Sequence, residues 1–226
     1  MNTQWTMQPI GHVRSDFKEK FGIPRQSGRA PSLQAEICFR EDIPESAFKD
    51  LEQFSHVWVV FIFSQTAEQG WHATVRPPRL GGNQRVGVFA SRSPFRPNPI
   101  GLSCVKLENI TRKAGQMVMT VSGADLLDGT PVLDIKSYIP YADCHSEACG
   151  GYAHEKKDYR FQVDFPLALL EKIPKEKQSG LLECLADDPR PSYQEDTQRL
   201  YGMAFGAYQI KFKVQGDTLK VENVEE

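Results

Sequence analysis

The chain has 226 residues, of which 40% are apolar and 25% charged, a composition typical of a soluble protein with a sizeable core. Its formal net charge of −2 at pH 7 excludes a protein that is basic over its whole surface. The longest apolar run, residues 57–63, is far shorter than the ~20 residues that cross a bilayer, and the start, MNTQWTMQPIG, carries no secretory pattern.

Short strands separated by turns are predicted over the first two thirds of the chain. The run VWVVFIF at residues 57–63 predicts a strand that is covered on both faces. Residues 45–53 predict the one helix of this part, with Pro44 in its first turn. Many short strands with few helices favour a closed or nearly closed sheet, because closure removes exposed edges. The predicted strands are residues 10–14, 35–39, 56–63, 85–91, 102–109, 117–122 and 131–137.

The last third predicts a different arrangement, in which helices and strands follow one another in a small α+β unit. A loop at residues 145–158 is the predicted linker to this unit, and a second loop spans residues 187–193. The final two strands form a predicted hairpin that turns at Gly216 and Asp217. The predicted elements are strands at residues 161–165, 208–214 and 218–221, and helices at residues 166–172 and 175–186.

The cysteines indicate a reducing compartment, since five of them form no even disulfide framework. With no secretory pattern, we therefore expect a cytoplasmic protein. Cys144, His145, Cys149 and His154 have spacings that zinc would tolerate. However, this segment is typical of a polar loop and lacks a second cysteine pair, so we expect no metal.

Positive charge is concentrated in residues 70–107, which contain no Asp or Glu. Arginine predominates there, and its planar guanidinium matches phosphate and carboxylate groups bidentately. An ordinary solvated basic face is the alternative, but interleaved prolines and glycines would hold the cations in place and favour a binding site. The six cations are Arg76, Arg79, Arg85, Arg92, Arg96 and Lys106.

Four segments are rich in Gly, Pro, Arg and Asp where neither a helix nor a strand requires them. The most specific is GVFASRSPFRPNPIG at residues 87–101, which gathers hydrogen-bond donors without a local acceptor. A rigid connection between two strands is the alternative, whereas a ligand with carboxylate, phosphate or ribose oxygens would supply the acceptors. The other segments are FGIPRQSG at residues 21–28, DLLDGTPVLDIK at residues 125–136 and DDPRPSY at residues 187–193.

GVFASRSPFRPNPIG resembles the signature of the TsaA-like (VirR/YaeB) family, whose characterised bacterial members are TrmO-type tRNA methyltransferases. Further matching blocks are PIGHVRS, EKFGIPRQ, RPPRLGG, DLLDGTPVLDIKSYIPY and DPRPSY, so the resemblance extends over nearly the whole chain. It implies a mainly β protein, with a single-sheeted β-barrel at residues 7–145 and a small C-terminal α+β domain at residues 160–226. The absence of GxGxxG after a strand agrees with a fold that is not of the Rossmann type.

The resemblance also implies a homodimer that uses S-adenosylmethionine to methylate tRNA. The implied target is the exocyclic nitrogen of the threonylcarbamoylated adenosine next to the anticodon. Arg25 or Arg92 can hold the cofactor's carboxylate, and Asp128 can accept from its ammonium or ribose, although Asp125 and Asp128 are also typical of turns. The implied cofactor contacts are Pro24, Arg25, Gln26, Ser64, Gln65, Arg92, Leu102, Leu127, Asp128, Gly129 and Thr130.

We expect tRNA to bind the arginine-rich segments, since phosphate contacts dominate the affinity of such complexes. The loop at residues 187–193 is expected to complete the substrate side of the site, with Asp188, Arg190 and Tyr193 as candidate catalytic residues. Two other functions remain open, a tRNA-binding or regulatory module without chemistry and a zinc-dependent hydrolase built on the Cys144 loop. The expected tRNA contacts are Arg76, Arg79, Arg85, Arg96 and Asn98.

Overall fold

A computed structural model describes residues 4–77, 80, 84–156, 159–190 and 196–226, and it does not describe the side chains of residues 154–156. Strands predominate over helices, which confirms the predicted mainly β class. No helix in these ranges is long and apolar enough to cross a membrane. The described strands are β1 (Gly11–Arg14), β2 (Gln34–Phe39), β3 (His56–Ile62), β4 (Thr74–Val75), β5 (Val86–Gly87), β6 (Ile100–Lys113), β7 (Gln116–Ser122), β8 (Pro131–Ser137), β9 (Gln162–Asp164), β10 (Tyr201–Phe205), β11 (Tyr208–Gln215) and β12 (Thr218–Glu225). The described α-helices are α1 (Pro140–Asp143), α2 (Leu167–Leu170) and α3 (Lys175–Ala186).

Six antiparallel strands form a closed barrel in the order β1-β2-β7-β6-β3-β8, with β8 pairing back onto β1. Every second side chain of β3 points into the barrel, where Val57, Val59 and Phe61 are almost fully buried. Because side chains alternate between the two faces of a strand, the intervening residues lie on the outer surface and are only half-buried. The prediction that this strand is covered on both faces is therefore wrong.

A second sheet, in the order β10-β11-β12-β9, packs with α3 around a separate apolar core. Three side chains of the β1–β2 connection, Phe17, Ala30 and Leu33, are buried in this second core. Gly180 lets α3 lie close to that connection, because a Cβ at this position would be 3.0 Å from Leu33 Cα. The division at residues 7–145 and 160–226 stays a prediction, and the β1–β2 connection packs across it.

Local backbone geometry differs from the prediction in two segments near the barrel. Residues 45–53 form two 3-10 turns rather than one helix, because Asp50 adopts a left-handed conformation with φ of 66° between them. Residues 85–91 contain the short strand β5 followed by a 3-10 turn at Val88–Ala90, not one continuous strand. The Val88 N–H donates to the Ala73 carbonyl at 3.0 Å, so the backbone of this motif is anchored to the β4 side.

Candidate active site

A cleft of about 1430 Å³ opens beside the barrel, large enough for a nucleoside-sized ligand with room to spare. Four of the stretches that form its walls lie far apart in sequence. These are residues 23–26, the end of β3 with the residues after it (61–66), the loop at residues 89–95, and residues 125–127. Three of the four segments singled out in the sequence therefore meet at one place.

Most of the predicted cofactor residues line this cleft. Leu102, Asp128 and Gly129 do not. Asp128 Oδ1 accepts a hydrogen bond from the Ser15 N–H at 3.0 Å, and the Gly129 N–H donates to the Val13 carbonyl at 2.8 Å. Asp128 and Gly129 thus hold the turn before β8 against the start of the chain. The predicted residues that line the cleft are Pro24, Arg25, Gln26, Ser64, Gln65, Arg92, Leu127 and Thr130.

Leu102 lies on β6 opposite Val60, with 53% of its surface exposed. Its side chain is on the outer face of the barrel, away from the cleft of the same chain. Leu102 is therefore not part of the cleft wall of its own chain.

Arg25 is held by the loop that follows α3. Its backbone N–H donates to Asp187 Oδ2 at 3.3 Å, and its Nη2 donates to the carbonyls of Asp188 and Arg190 at 3.1 and 2.7 Å. These contacts fix the PRQ segment as one wall of the cleft. Arg25 thereby positions the segment, and its guanidinium faces backbone carbonyls rather than the cleft centre.

Arg92 is exposed on the opposite wall, where its Nη1 donates to Gln26 Oε1 at 2.5 Å. The Gln26 side chain in turn donates through Nε2 to the Arg25 carbonyl at 2.5 Å. This chain of contacts connects the GVFASRSPFRPNPIG loop to the PRQ segment. An exposed guanidinium held in this way can bind a carboxylate or phosphate bidentately.

The loop after α3 is held by internal ion pairs. Asp188 lies in a left-handed conformation, with φ of 55°, and its Oδ1 is 3.0 Å from Arg190 Nε. The Arg190 guanidinium also lies over the Phe161 ring, 4.9 Å from its centroid. Only 13% of the Arg190 side chain is exposed, so this geometry favours a positioning role for Arg190 over the direct contact with substrate that a catalytic residue makes. Tyr193 lies outside the described residues.

The predicted tRNA contacts divide into two groups. Arg76 and Arg85 are exposed and line the cleft. Arg96 instead turns back on its own loop, where Nη1 donates to the carbonyls of Val88 and Ser91 at 3.2 and 2.7 Å. Arg96 therefore fastens this turn. Asn98 is exposed but does not line the cleft, and Arg79 lies outside the described residues.

Phe89 is an unforeseen feature of the cleft mouth. It is 77% exposed, lines the cleft and lies 5.8 Å from the Arg96 guanidinium. The aromatic ring in an arginine-containing motif was the available sequence signal, but the sequence alone did not show that the Phe89 side chain is exposed. An exposed aromatic ring beside basic residues is suited to stacking on a nucleobase.

Asp125 is a second cleft residue that the sequence did not assign to the site, because an Asp at this position is also typical of a turn. Asp125 lines the cleft, and its Oδ1 accepts a hydrogen bond from Ser103 Oγ at 2.5 Å. Burial raises the pKa of the Asp125 carboxyl, while the Ser103 hydrogen bond and the Arg92 charge act in the opposite direction. No local pattern distinguishes such a carboxylate from a turn-forming Asp.

The loop that follows Cys144 contributes to the wall of the cleft, since Tyr152 and Ala153 line it. Within the described ranges, no three His, Cys, Asp or Glu side chains are grouped so that they could hold a metal ion. Cys144 and Cys149 are both exposed, and the side chain of His154 lies outside the description.

Comparison with known proteins gives matches along the whole chain. Residues 12–144 match the tRNA-methyltransferase O N-terminal domain, and residues 158–226 match the TrmO C-terminal domain. The tRNA (adenine(37)-N6)-methyltransferase of Escherichia coli K12 is 40% identical over 221 residues, which cover 94% of each chain. The protein of the same name from Eikenella corrodens is 44% identical over 176 residues, covering 76% of this chain and 97% of that one. A crystal structure of TrmO from Pseudomonas aeruginosa superposes with a TM-score of 0.76 at 33% identity, covering 99% of this chain and 100% of that one.

Proposed function

The chain belongs to the tRNA-methyltransferase O family, and we propose that it transfers the methyl group of S-adenosylmethionine to the exocyclic nitrogen of an adenosine in tRNA. The relatives confirm the predicted enzyme class, a tRNA adenine-N6-methyltransferase. One observation carries the assignment of the site. Segments that are far apart in sequence meet around a single cleft, and eight of the eleven predicted cofactor residues line it.

The residues of the cleft fit the chemical groups of S-adenosylmethionine. Arg92 presents an exposed guanidinium to a carboxylate, and Phe63 and Leu127 supply half-buried apolar surface for an adenine. When bound, the cofactor supplies a methyl group on a sulfonium that is readily attacked by a nucleophile. The chain's own task is to align this methyl with the target nitrogen and to exclude water. The Arg25–Asp187 contact keeps the PRQ wall in place for that purpose.

The tRNA side of the proposed site is the basic mouth of the cleft. Arg76 and Arg85 are placed to contact phosphates, and Phe89 is placed to stack on a base that leaves the anticodon loop. We propose the threonylcarbamoylated adenosine as the target, following the resemblance of the motifs. Its carboxylate would add an acceptor for the arginines at the mouth.

Leu102 supports the further proposal that the working form is a homodimer in the cytoplasm. The resemblance implies that this residue contacts the cofactor, yet its side chain points away from the cleft of its own chain. A cofactor contact by Leu102 is compatible with this orientation if Leu102 of a second copy of the chain lies at the cleft. The exposed apolar surface of Leu102 is consistent with such a contact.

Titration calorimetry with S-adenosylmethionine tests the cofactor assignment. Losing one charge-assisted contact costs about 1.5–3 kcal/mol, so Arg92→Ala should weaken binding about 10–150-fold. Arg112→Ala is the matched control, because Arg112 pairs with Glu45 on the outer surface and does not line the cleft. The absence of binding to the wild-type protein would refute the proposed function. Nucleoside analysis of tRNA from cells with and without the gene tests the product.

A further inference from the structure

The cleft contains one group that can accept a proton and that methyl transfer, as described so far, does not use. Among the described residues that line the cleft, Asp125 is the only one with a carboxylate. His72 also lines the cleft, but it is exposed, and its ring centroid lies 5.4 Å from that of Phe95. Asp125, which is half-buried, is therefore the candidate proton acceptor next to the predicted cofactor residues.

The surroundings of Asp125 hold its carboxylate in a fixed position. Ser103, on the inner side of β6, is only 2% exposed and donates its hydroxyl to Asp125 Oδ1 at 2.5 Å. The Ser27 backbone donates a further hydrogen bond, and Arg92 is the charged group that acts on the carboxylate. These partners stabilise the ionised form, whereas burial disfavours it. The Ser103 hydroxyl thus fixes the orientation of the Asp125 carboxylate.

A base is needed because the target nitrogen is a poor nucleophile. Its lone pair is delocalised into the adenine ring, and in the threonylcarbamoylated form also into a carbonyl. Methylation without proton loss would leave a positive charge on that nitrogen. General base catalysis removes this cost and contributes about 10²–10⁴-fold to a rate.

We propose that Asp125 is the general base of this methyl transfer, an inference that rests on the proposed function. As the bond from nitrogen to the methyl carbon forms, the bond from that carbon to sulfur breaks, and its electron pair stays on sulfur as a neutral thioether. The N–H proton passes to the Asp125 carboxylate, which then loses it to water. Charge balances, since a sulfonium and a carboxylate become a thioether and a carboxylic acid.

The decisive variant is Asp125→Asn, assayed by single-turnover methylation of tRNA at saturating S-adenosylmethionine over a range of pH. We expect the rate to fall at least ~100-fold, with cofactor affinity by calorimetry unchanged. In the wild-type enzyme the rate should fall as pH drops through the pKa of Asp125, because only the ionised carboxylate accepts a proton. Asp134→Asn is the matched control, since Asp134 pairs with Lys136 and does not line the cleft.

Ser103→Ala gives a second test that does not require the loss of the base. Removing the hydroxyl donor raises the pKa of Asp125, so the fall in rate at low pH should begin at a higher pH than in the wild-type enzyme.

Three results would overturn the proposal. In the first, Asp125→Asn weakens cofactor binding but regains the wild-type rate at saturation, which would make Asp125 a ligand of the cofactor's ammonium. In the second, the fall in rate at low pH is abolished by His72→Gln rather than by Asp125→Asn. In the third, the profile of Ser103→Ala is unchanged. The wild-type protein failing to bind the cofactor would instead refute the proposed function itself.

Discussion

The contribution of Asp187 to the free energy of unfolding can be measured by comparing two ion pairs that have equal length but different burial. The Arg29 guanidinium lies 2.6 Å from Asp187 Oδ1, and the Arg40 guanidinium lies 2.6 Å from Asp42 Oδ2. The side chains of the first pair are 17% and 3% exposed, whereas those of the second are 40% and 66% exposed. Removing one charge from a buried pair leaves the other without its partner and costs about 3–5 kcal/mol.

For Asp187→Asn we expect the lower end of that range, about 3 kcal/mol. Arg29 also donates to the Tyr159 carbonyl at 3.1 Å, and this contact does not depend on the Asp187 charge. In a chain of this size each kcal/mol shifts Tm by roughly 2–4 °C, so Tm should fall by about 6–12 °C. Asp42→Asn should leave Tm close to that of the wild-type protein, because exposed pairs contribute little.

Thermal unfolding followed by circular dichroism, at 0.1 M and 1 M salt, is the assay. Salt screens exposed charges far more than buried ones, so the effect of Asp187→Asn should persist at the higher concentration. Equal Tm values for Asp187→Asn and Asp42→Asn would refute the reasoning from burial. A large loss for Asp187→Asn that disappears at 1 M salt would refute it as well.

Two further predictions concern the barrel and the RNA surface. Gly101→Ala would place a Cβ 2.2–2.6 Å from atoms of the Phe61 ring. It should lower the free energy of unfolding by about 1–3 kcal/mol, measured by urea denaturation. Gly87→Ala is the control, because a Cβ at that position meets no atom within 4 Å. Replacing Arg76 and Arg85 with Gln should reduce the magnitude of the slope of log tRNA affinity against log salt concentration by about 1.4–1.8. The affinity for S-adenosylmethionine should be retained. An unchanged slope would place the RNA site elsewhere.

Sequence reasoning predicted the barrel strands best where apolar residues recur over whole strands. β3 and β8 were found at nearly their observed bounds, because their patterns are long and are flanked by turn residues. β10 was missed, since its sequence YGMAF is short and contains a glycine. The 3-10 turn at Val88–Ala90 was read as a strand, because β-branched residues favour strands and the anchoring bond to Ala73 is not visible in a sequence.

The site shows the same limit. Composition and motifs indicated which segments carry chemistry, and these segments do meet. The direction of individual side chains could not be predicted, because it depends on partners that are distant in sequence. Arg96 and Arg190 were expected to face RNA, yet each donates to or pairs with its own loop. Asp125 was read as a turn residue, since its partner Ser103 is 22 positions away.

The packing of the β1–β2 connection bears on how the chain folds as it is synthesised. Phe17, Ala30 and Leu33 leave the ribosome early, but the residues that bury them belong to α3 and the second sheet, which are made last. The PRQ segment lies within this connection, and its anchor, Asp187, also comes late. A nascent chain can therefore close its barrel before the anchor of the PRQ segment has been made. If the cleft binds the cofactor as proposed, the last third of the chain supplies the contact that completes one wall of the binding site.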